Sequence, residues 1–278
     1  MKNYDARDLN LNPEFDMQNT TKIAVATSLL LSTSSVALAD DLVSIYDSHS
    51  TKINEKLPAD SHNSMHVMLD TGWDSKYVSQ GRNNLEKGGI NWLSAAIQKQ
   101  NFNAYVTVGR ADSEHYIEYN LGLEYSVALS QYVNGTIGYQ RLEFYGAERA
   151  HDNEIFSALE YNQYQWLTPS INYTYSTESA GYFIEISLHS NWDLTDTLSV
   201  TPYISQGFDF KYATPEHNGA NNVQFGVEAQ YQLPHQWQLS AHISHSIAAA
   251  DIKQAAAENT ADNELNQTYA GIHLSWSF

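Results

Sequence analysis

The chain carries 11 His, a large set of Ser and 32 acidic residues, enough material for hydrolytic, metal-binding or purely electrostatic chemistry. The tightest nucleophile–base candidate is His242-Ile-Ser244. Two residues two apart share a face of a strand, where an imidazole can take a proton from a hydroxyl. His151-Asp152 and Glu216-His217 offer acid–imidazole pairs, but no second pair is placed to complete a site with either. Asp251, Glu258, Asp262 and Glu264 are oxygen ligands of the kind that Ca²⁺ or Mg²⁺ takes, yet they lack the ordered spacing of an EF-hand loop and read as solvated loop charge. With no Cys, the chain has neither a disulfide nor a thiolate metal site. No catalytic residue, metal or cofactor follows from these patterns. A formal net charge of −18 argues against nucleic acid, whose phosphates need clustered Lys and Arg. What remains is distributed carboxylate charge, and its meaning depends on the elements that carry it.

Those elements are strands. Reading back from the end, Phe278, Trp276, Leu274, Ile272 and Ala270 form one apolar face, with small or polar residues and Tyr269 between them. A period of two is the mark of a strand with one greasy and one wet face. The pattern recurs to give twelve segments: 64–80, 90–99, 101–111, 115–128, 131–145, 154–164, 166–176, 181–193, 197–212, 221–233, 236–248 and 267–278. The segment 115–128 is very clean, alternating Ile117, Tyr119, Leu121, Leu123, Tyr125 and Val127 with Glu118, Asn120, Gly122, Glu124 and Ser126. In the first segment Val67, Leu69, Trp73 and Tyr77 share the apolar face, and in the ninth that face runs to Phe208, Phe210 and Tyr212. In 131–145 the apolar parity changes from Ile137 and Tyr139 to Leu142 and Phe144, which predicts a bulge near Arg141.

The chain is too polar for a helical membrane protein, with 42% apolar residues and a mean hydropathy of −0.45. After residue 38 no run approaches the ~20 apolar residues of a spanning helix. Strands that cross a membrane escape that test, because only alternate residues meet lipid. At the other end, residues 18–39 read as a secretory signal: Lys22, an apolar stretch from Ile23 to Leu31, and Ala37-Leu-Ala39 as a small-x-small cleavage site. Residues 1–39 are therefore read as a doubtful extension plus signal peptide, with Met17 a plausible start and cleavage after Ala39; 40–62 as a polar periplasmic leader; and 63–278 as an outer-membrane β-barrel. The expected fold is all-β: a transmembrane antiparallel up-and-down barrel of about twelve strands.

Loop lengths support it. Connections after even-numbered segments are minimal, as at Gln100 and Pro234-His235, whereas those after odd ones are long and polar, notably 82–89, 146–153, 213–220 and 249–266. An even strand number with this asymmetry places both termini in the periplasm. Trp192, Trp237 and Trp276, with Phe278, lie outward at the turn side as interfacial aromatics. The opposite parity faces a lumen. Its acids are Asp70, Asp74, Glu118, Glu124, Glu160, Glu185, Asp209 and Glu228, opposed by Lys76 and Lys211. Unpaired carboxylates are costly in a dry core; water in a lumen removes that cost, and an acidic passage favours small cationic or neutral solutes. Twelve strands lie between filled eight-stranded barrels and open porins, so a narrow pore and a plugged scaffold both fit, and no large nonpolar plug is apparent. By the same parity His242 and Ser244 face the lumen, away from the lipid that a barrel phospholipase needs, and the rim pairs lack the second pair of a barrel protease. A structural or adhesive barrel acting through acidic loops is the remaining class. The expected partners are outer-membrane lipid, lipopolysaccharide, and the barrel-assembly machinery through the strand that ends at Phe278.

The stretch Gly72-Trp-Asp-Ser-Lys-Tyr-Val-Ser-Gln-Gly81, followed by a polar loop and Gly88-Gly89, resembles the opening of the TorF-type porin family, which carries a similar Ser-x-Tyr-Val-x-x-Gly early in the barrel. Where that pattern has Arg before the Gly, this chain has Gln80. The resemblance covers about ten residues and implies a small porin.

Overall fold

A computed structural model describes residues 65–164, 166–256 and 264–278. The signal peptide, its cleavage point at Ala39, the 40–62 leader, Glu258 and Asp262 lie outside the described residues. Twelve strands form the wall: β1 (Met65–Asp74), β4 (Ile90–Lys99), β5 (Phe102–Ala111), β6 (Ile117–Ser130), β7 (Val133–Tyr145), β8 (Arg149–Tyr161), β9 (Thr168–Ser176), β10 (Tyr182–His189), β12 (Leu198–Phe210), β13 (Asn218–Leu233), β14 (Trp237–Ala248) and β15 (Gln267–Ser277). Three short strands and a helix complete the described chain: β2 (Val78–Ser79) and β3 (Arg82–Asn83), which pair only with each other, β11 (Trp192–Asp193), which extends the β10 edge of β12, and α1 (Ala250–Ala255).

Each wall strand pairs antiparallel with its neighbours, β10 with β12 across the β11 break, and β1 closes the ring on β15 with Met68 opposite Ser277 and Trp73 opposite Ile272. The seam is tied at its end by Val67 and Phe278, which exchange backbone hydrogen bonds at 2.9 and 3.0 Å. Closure leaves no wall strand with an unpaired edge, the condition for crossing hydrocarbon with strands. The period-two faces are those of the sequence. Leu93, Ile97, Leu121, Leu123, Ile137, Ile186, Ile204, Ile243 and Ile272 are exposed on the outside, while the alternating positions turn inward. Trp192, Trp237 and Phe278 are exposed at the turn end, where Trp276 stacks on Trp237 and packs against Phe278. Tight turns close that end, with Gln100, His235 and Gln236 at positive φ. Both ends of the wall, Met65 and Ser277, lie there too.

Three readings of the sequence change at the loop end. The first wall strand stops at Asp74, short of residue 80, and the chain turns into the barrel as the β2–β3 hairpin. Tyr77 is thus buried inside, edge-on to Trp92, rather than facing lipid. Gly81 makes the turn at φ +74°, where a Cβ would come within 2.7 Å of Asn222. β7 keeps its register on both neighbours through Arg141, with no bulge there; shifts occur instead at Ala128/Ser130 and Gly207/Phe208. Leu142 and Phe144 simply point inward, because the hairpin supplies apolar partners: Tyr77, Leu85, Ile90, Trp92, Ala111, Leu142 and Phe144 form one cluster inside the wall. An apolar filling at this end is what the sequence did not lead one to expect. Third, Lys211, at φ +62°, breaks the alternation after β12, so that Tyr212 turns inward and is buried.

Candidate functional site: the barrel interior

The interior wall is polar and acidic along its length but differs between its halves. Toward the turns it is lined by half-buried groups such as Asp70, Glu160, Glu228, Gln230 and His273. Toward the loops its side chains are packed and hydrogen-bonded. Glu118, with no exposed surface, accepts from Tyr77 Oη (2.6 Å), Tyr116 Oη (2.7 Å) and Asn120 Nδ2 (2.7 Å). Asp74 accepts from Trp92 Nε1 at 2.8 Å, and its other oxygen stands 3.5 Å from Nε2 of both His242 and His273. His273 Nδ1 is 3.1 Å from Asp70, whose second oxygen takes the Ser275 hydroxyl at 2.7 Å. Asp209 is held by the backbone N–H groups of Tyr212 and Ala213 at 2.8 and 2.9 Å, whereas Glu124, buried nearer the turns, is held by Asn103 Nδ2 at 3.1 Å. Glu185 is buried on β10, and Glu228 sits opposite His242 in the β13–β14 register.

Of the two lysines read as luminal, Lys76 lies at the loop end of β1 and donates to Gln267 Oε1 at 3.0 Å. Lys211 is exposed outside the strand, because its left-handed φ takes it out of phase. The cation that enters the interior is Arg82, on the hairpin. Its Nη1 donates to Asn221 Oδ1 (2.6 Å) and the carbonyl of Gln80 (3.3 Å), and its Nη2 to Thr214 Oγ1 (2.8 Å) and Asp251 Oδ2 (2.7 Å). Burial lowers the pKa of its guanidinium, while the charges of Asp209 and Asp251 oppose that shift and hold the proton. Asp251, read as solvated loop charge, is instead fully buried on α1, where His217 Nδ1 also meets it at 2.6 Å. Three segments distant in sequence are therefore knotted by one guanidinium: the hairpin, the 211–217 loop with the start of β13 that follows it, and α1.

Arg82, Asp152, Glu154 and Asp251 escaped the parity reading. Glu154 shares the parity of Glu160 within the segment 154–164 and could have been read from it, and Asp152 joins them once the strand is extended two residues toward its N-terminus. Arg82 and Asp251 sit in loops, where alternation carries no information. Glu154 accepts from Gln140 Nε2 (2.5 Å) and from the Tyr212 hydroxyl. Burial first, then the Glu154 charge, pushes the Tyr212 phenol well above its ordinary pKa.

The candidate reactive pairs do not assemble. Ser244 bonds Tyr203 Oη at 2.7 Å while His242 turns to Asp74, and His245 bonds Thr268 at 2.7 Å on the outer face. His151 faces outward to Glu178 at 3.4 Å, whereas its neighbour Asp152 points inward. Among the described residues no group of three or more His, Asp or Glu is placed to hold a metal ion.

No family model matches the chain, and no curated relative does. Solved structures do. The KdgM porin matches with a TM-score of 0.53 at 10% identity, over 76% of this chain and 99% of that one. A KdgM porin in complex with disordered oligogalacturonate matches with a TM-score of 0.50 at 9% identity, over 77% and 99%. What the chain shares with these porins, nearly their whole length at so low an identity, is the closed antiparallel β-barrel fold.

Proposed function

We propose that this chain is exported to the bacterial outer membrane and forms a narrow porin-like channel for passive diffusion of small hydrophilic solutes, with cations preferred. The observation that carries the reading is the division of the barrel: a predominantly apolar exterior, rimmed with aromatics at the turn end, around a polar and acidic interior. An apolar exterior on a closed barrel suits lipid, and carboxylates on its inner wall need water or cations to offset their desolvation. In this reading the signal is cleaved after Ala39, both termini lie in the periplasm and the long loops face outside. The strand that ends at Phe278 is the element presented to the barrel-assembly machinery, and Gly72–Gly81 marks a TorF-type porin. The preference for cations rests on Asp70, Asp74, Glu118, Glu124, Glu154, Glu185, Asp209 and Glu228 standing against Arg82 and Lys76. Such a wall repels a polyuronate of the kind bound by the KdgM porin of the second match.

One observation favours a second reading, a non-conducting barrel that acts through its loops: the apolar cluster and the Arg82 knot lie inside the wall at its loop end. Conductance separates the two. The protein reconstituted in a planar bilayer under a KCl gradient is expected to give discrete steps with a cation-selective reversal potential, which moves toward zero when Glu118, Glu124, Glu185 and Glu228 are each changed to Gln. A silent bilayer from protein with the heat-modifiable gel mobility of a folded barrel overturns the channel in favour of the plugged scaffold.

A further inference from the structure

The inner face of β5–β8 orders its carboxylates in a way that diffuse acidity does not require. The register sets four successive inward rows: Asn103 beside Glu124; Tyr105, Gln140 and Glu154; Thr107, Asn120 and Asp152; and Glu118 beside Phe144. Each row carries one carboxylate. Adjacent rows are two residues apart along the strands, about 6.8 Å at ~3.4 Å per residue. The acids alternate between β6, with Glu124 and Glu118, and β8, with Glu154 and Asp152, and so form a staggered ladder along the wall, spread out rather than converging on one point as the ligands of a metal ion do.

The hydrogen bonds of the ladder are short of donors. Asn103 gives its amide N–H to Glu124, and Asn120 gives its own to Glu118, so neighbouring carboxylates fix the orientation of both amides and turn their carbonyl oxygens away. Asn103 Oδ1, Glu124 Oε1, Asn120 Oδ1 and Asp152 Oδ2 are buried and accept no hydrogen bond from the protein. All four residues are more than nine-tenths buried. A buried acceptor without a donor is the expensive case. Tyr105 lies in the row between those of Glu124 and Asp152, where its hydroxyl donates to Gln140 Oε1 at 2.9 Å.

We infer that this ladder is a track for linear organic polycations, amines whose ammonium groups are spaced along a methylene chain. The inference rests on the channel reading and names its solute class. Such a molecule supplies what the wall lacks: several N–H donors and positive charges, distributed along one chain as the acids are distributed along the wall. An alkali ion brings charge without donors, and a quaternary ammonium likewise. In this structure the oxygens are covered by neighbouring side chains, so an amine reaches them by displacing packed groups.

The test uses the reconstituted full chain carrying K⁺ current, with 1,4-diaminobutane, spermidine and a bis-quaternary diammonium of similar length added to one side. The primary amines are expected to block at concentrations at least tenfold below the bis-quaternary ion, with voltage dependence. Glu124→Gln is expected to raise the blocking concentration of spermidine at least fivefold, while Glu148→Gln, on the exposed β7–β8 turn, leaves it unchanged. Equal block by primary and quaternary ions overturns the track while leaving the channel intact, and this comparison needs no variant to fold. Block unaltered in a conducting Glu124→Gln protein also overturns it. A silent bilayer overturns the channel reading and the track with it.

Discussion

Changing Arg82 to Ala tests whether the hairpin is held inside the barrel by the knot it forms there. The guanidinium donates to Asn221, Thr214 and Asp251 at 2.6–2.8 Å, and Asp251 has no exposed surface. Removing it leaves Asp251 with the Thr214 hydroxyl and the His217 imidazole but without its permanent cation. Breaking a buried ion pair from one side costs about 3–5 kcal/mol. The Arg82 side chain is 18% exposed, so the lower end, about 3 kcal/mol, is the appropriate figure. At ~1.4 kcal/mol per decade the docked-to-undocked ratio of the hairpin then falls roughly a hundredfold. The twelve-strand ladder does not pass through Arg82, so the barrel itself persists. Chymotrypsin reads the difference: Tyr77 and Leu85, 3% and 4% exposed, become cleavable only when the hairpin leaves the interior. Cleavage at these residues is expected to accelerate by about the same factor of a hundred in the folded Arg82→Ala protein. The double change Arg82→Met with Asp251→Leu, which removes both charges together, is expected to recover most of the protection. An Arg82→Ala barrel that resists chymotrypsin as the parent does would refute the reasoning, leaving the apolar cluster as the sole anchor of the hairpin.

The apolar cluster makes its own prediction: Phe144→Ala, which empties a site 1% exposed between Tyr77, Ile90 and Trp92, should lower the unfolding free energy by about 3–5 kcal/mol in urea titrations of the reconstituted barrel. A loss under 1 kcal/mol would place Phe144 outside that packing. The root of the first loop should respond to acid through Asp112, whose carboxyl lies below its ordinary pKa because Ser113, Trp73 and the Gly89 N–H donate to it. A depressed carboxylate pKa gives stability present in full above the unfolded value near 3.9 and lost as pH falls through the folded value. Hydrogen exchange at the Gly89 amide is thus expected to stay protected at neutral pH and to open only below the usual carboxylate range, while Asp112→Asn opens it at all pH values. Protection that is insensitive to Asp112→Asn would show that the tie does not hold the loop.

Strand parity made the wall legible because a closed barrel obeys one rule everywhere: alternate residues meet lipid, and lipid admits few polar groups. Glu118 and Glu124 could be assigned to the interior from 115–128 alone, since each is flanked by residues that only lipid would want. The rule fails where a residue no longer stands between lipid and lumen. Leu142 and Phe144 are apolar on the inner parity, and from the sequence the cheapest explanation is a bulge that returns them to lipid. The actual solution is a hairpin 55 to 70 residues earlier in the chain, which brings Tyr77 and Leu85 inside to meet them. Nothing local to β7 encodes that partner.

The same reasoning explains why the inward cation was missed and the acids were not. An acid on a wall strand has its direction fixed by two hydrogen-bonded neighbours, whereas Arg82 and Asp251 have directions set by loops that fold back on themselves. Each would be an expensive burial alone; together with Thr214, His217 and Asn221 they form a satisfied network. A long loop rich in Asn, Glu, Lys and Gly looks solvated because its residues are polar one by one. What escapes a residue-by-residue reading is that a strongly acidic interior already supplies the counter-charge that makes burying a guanidinium favourable. The surplus of acids on the inner wall is therefore both the reason to expect a cation-preferring passage and the force that draws Arg82 inward to narrow it. On the proposed channel reading selectivity and constriction share one electrostatic cause, so neutralising Asp251 should loosen the constriction as well as weaken the local field.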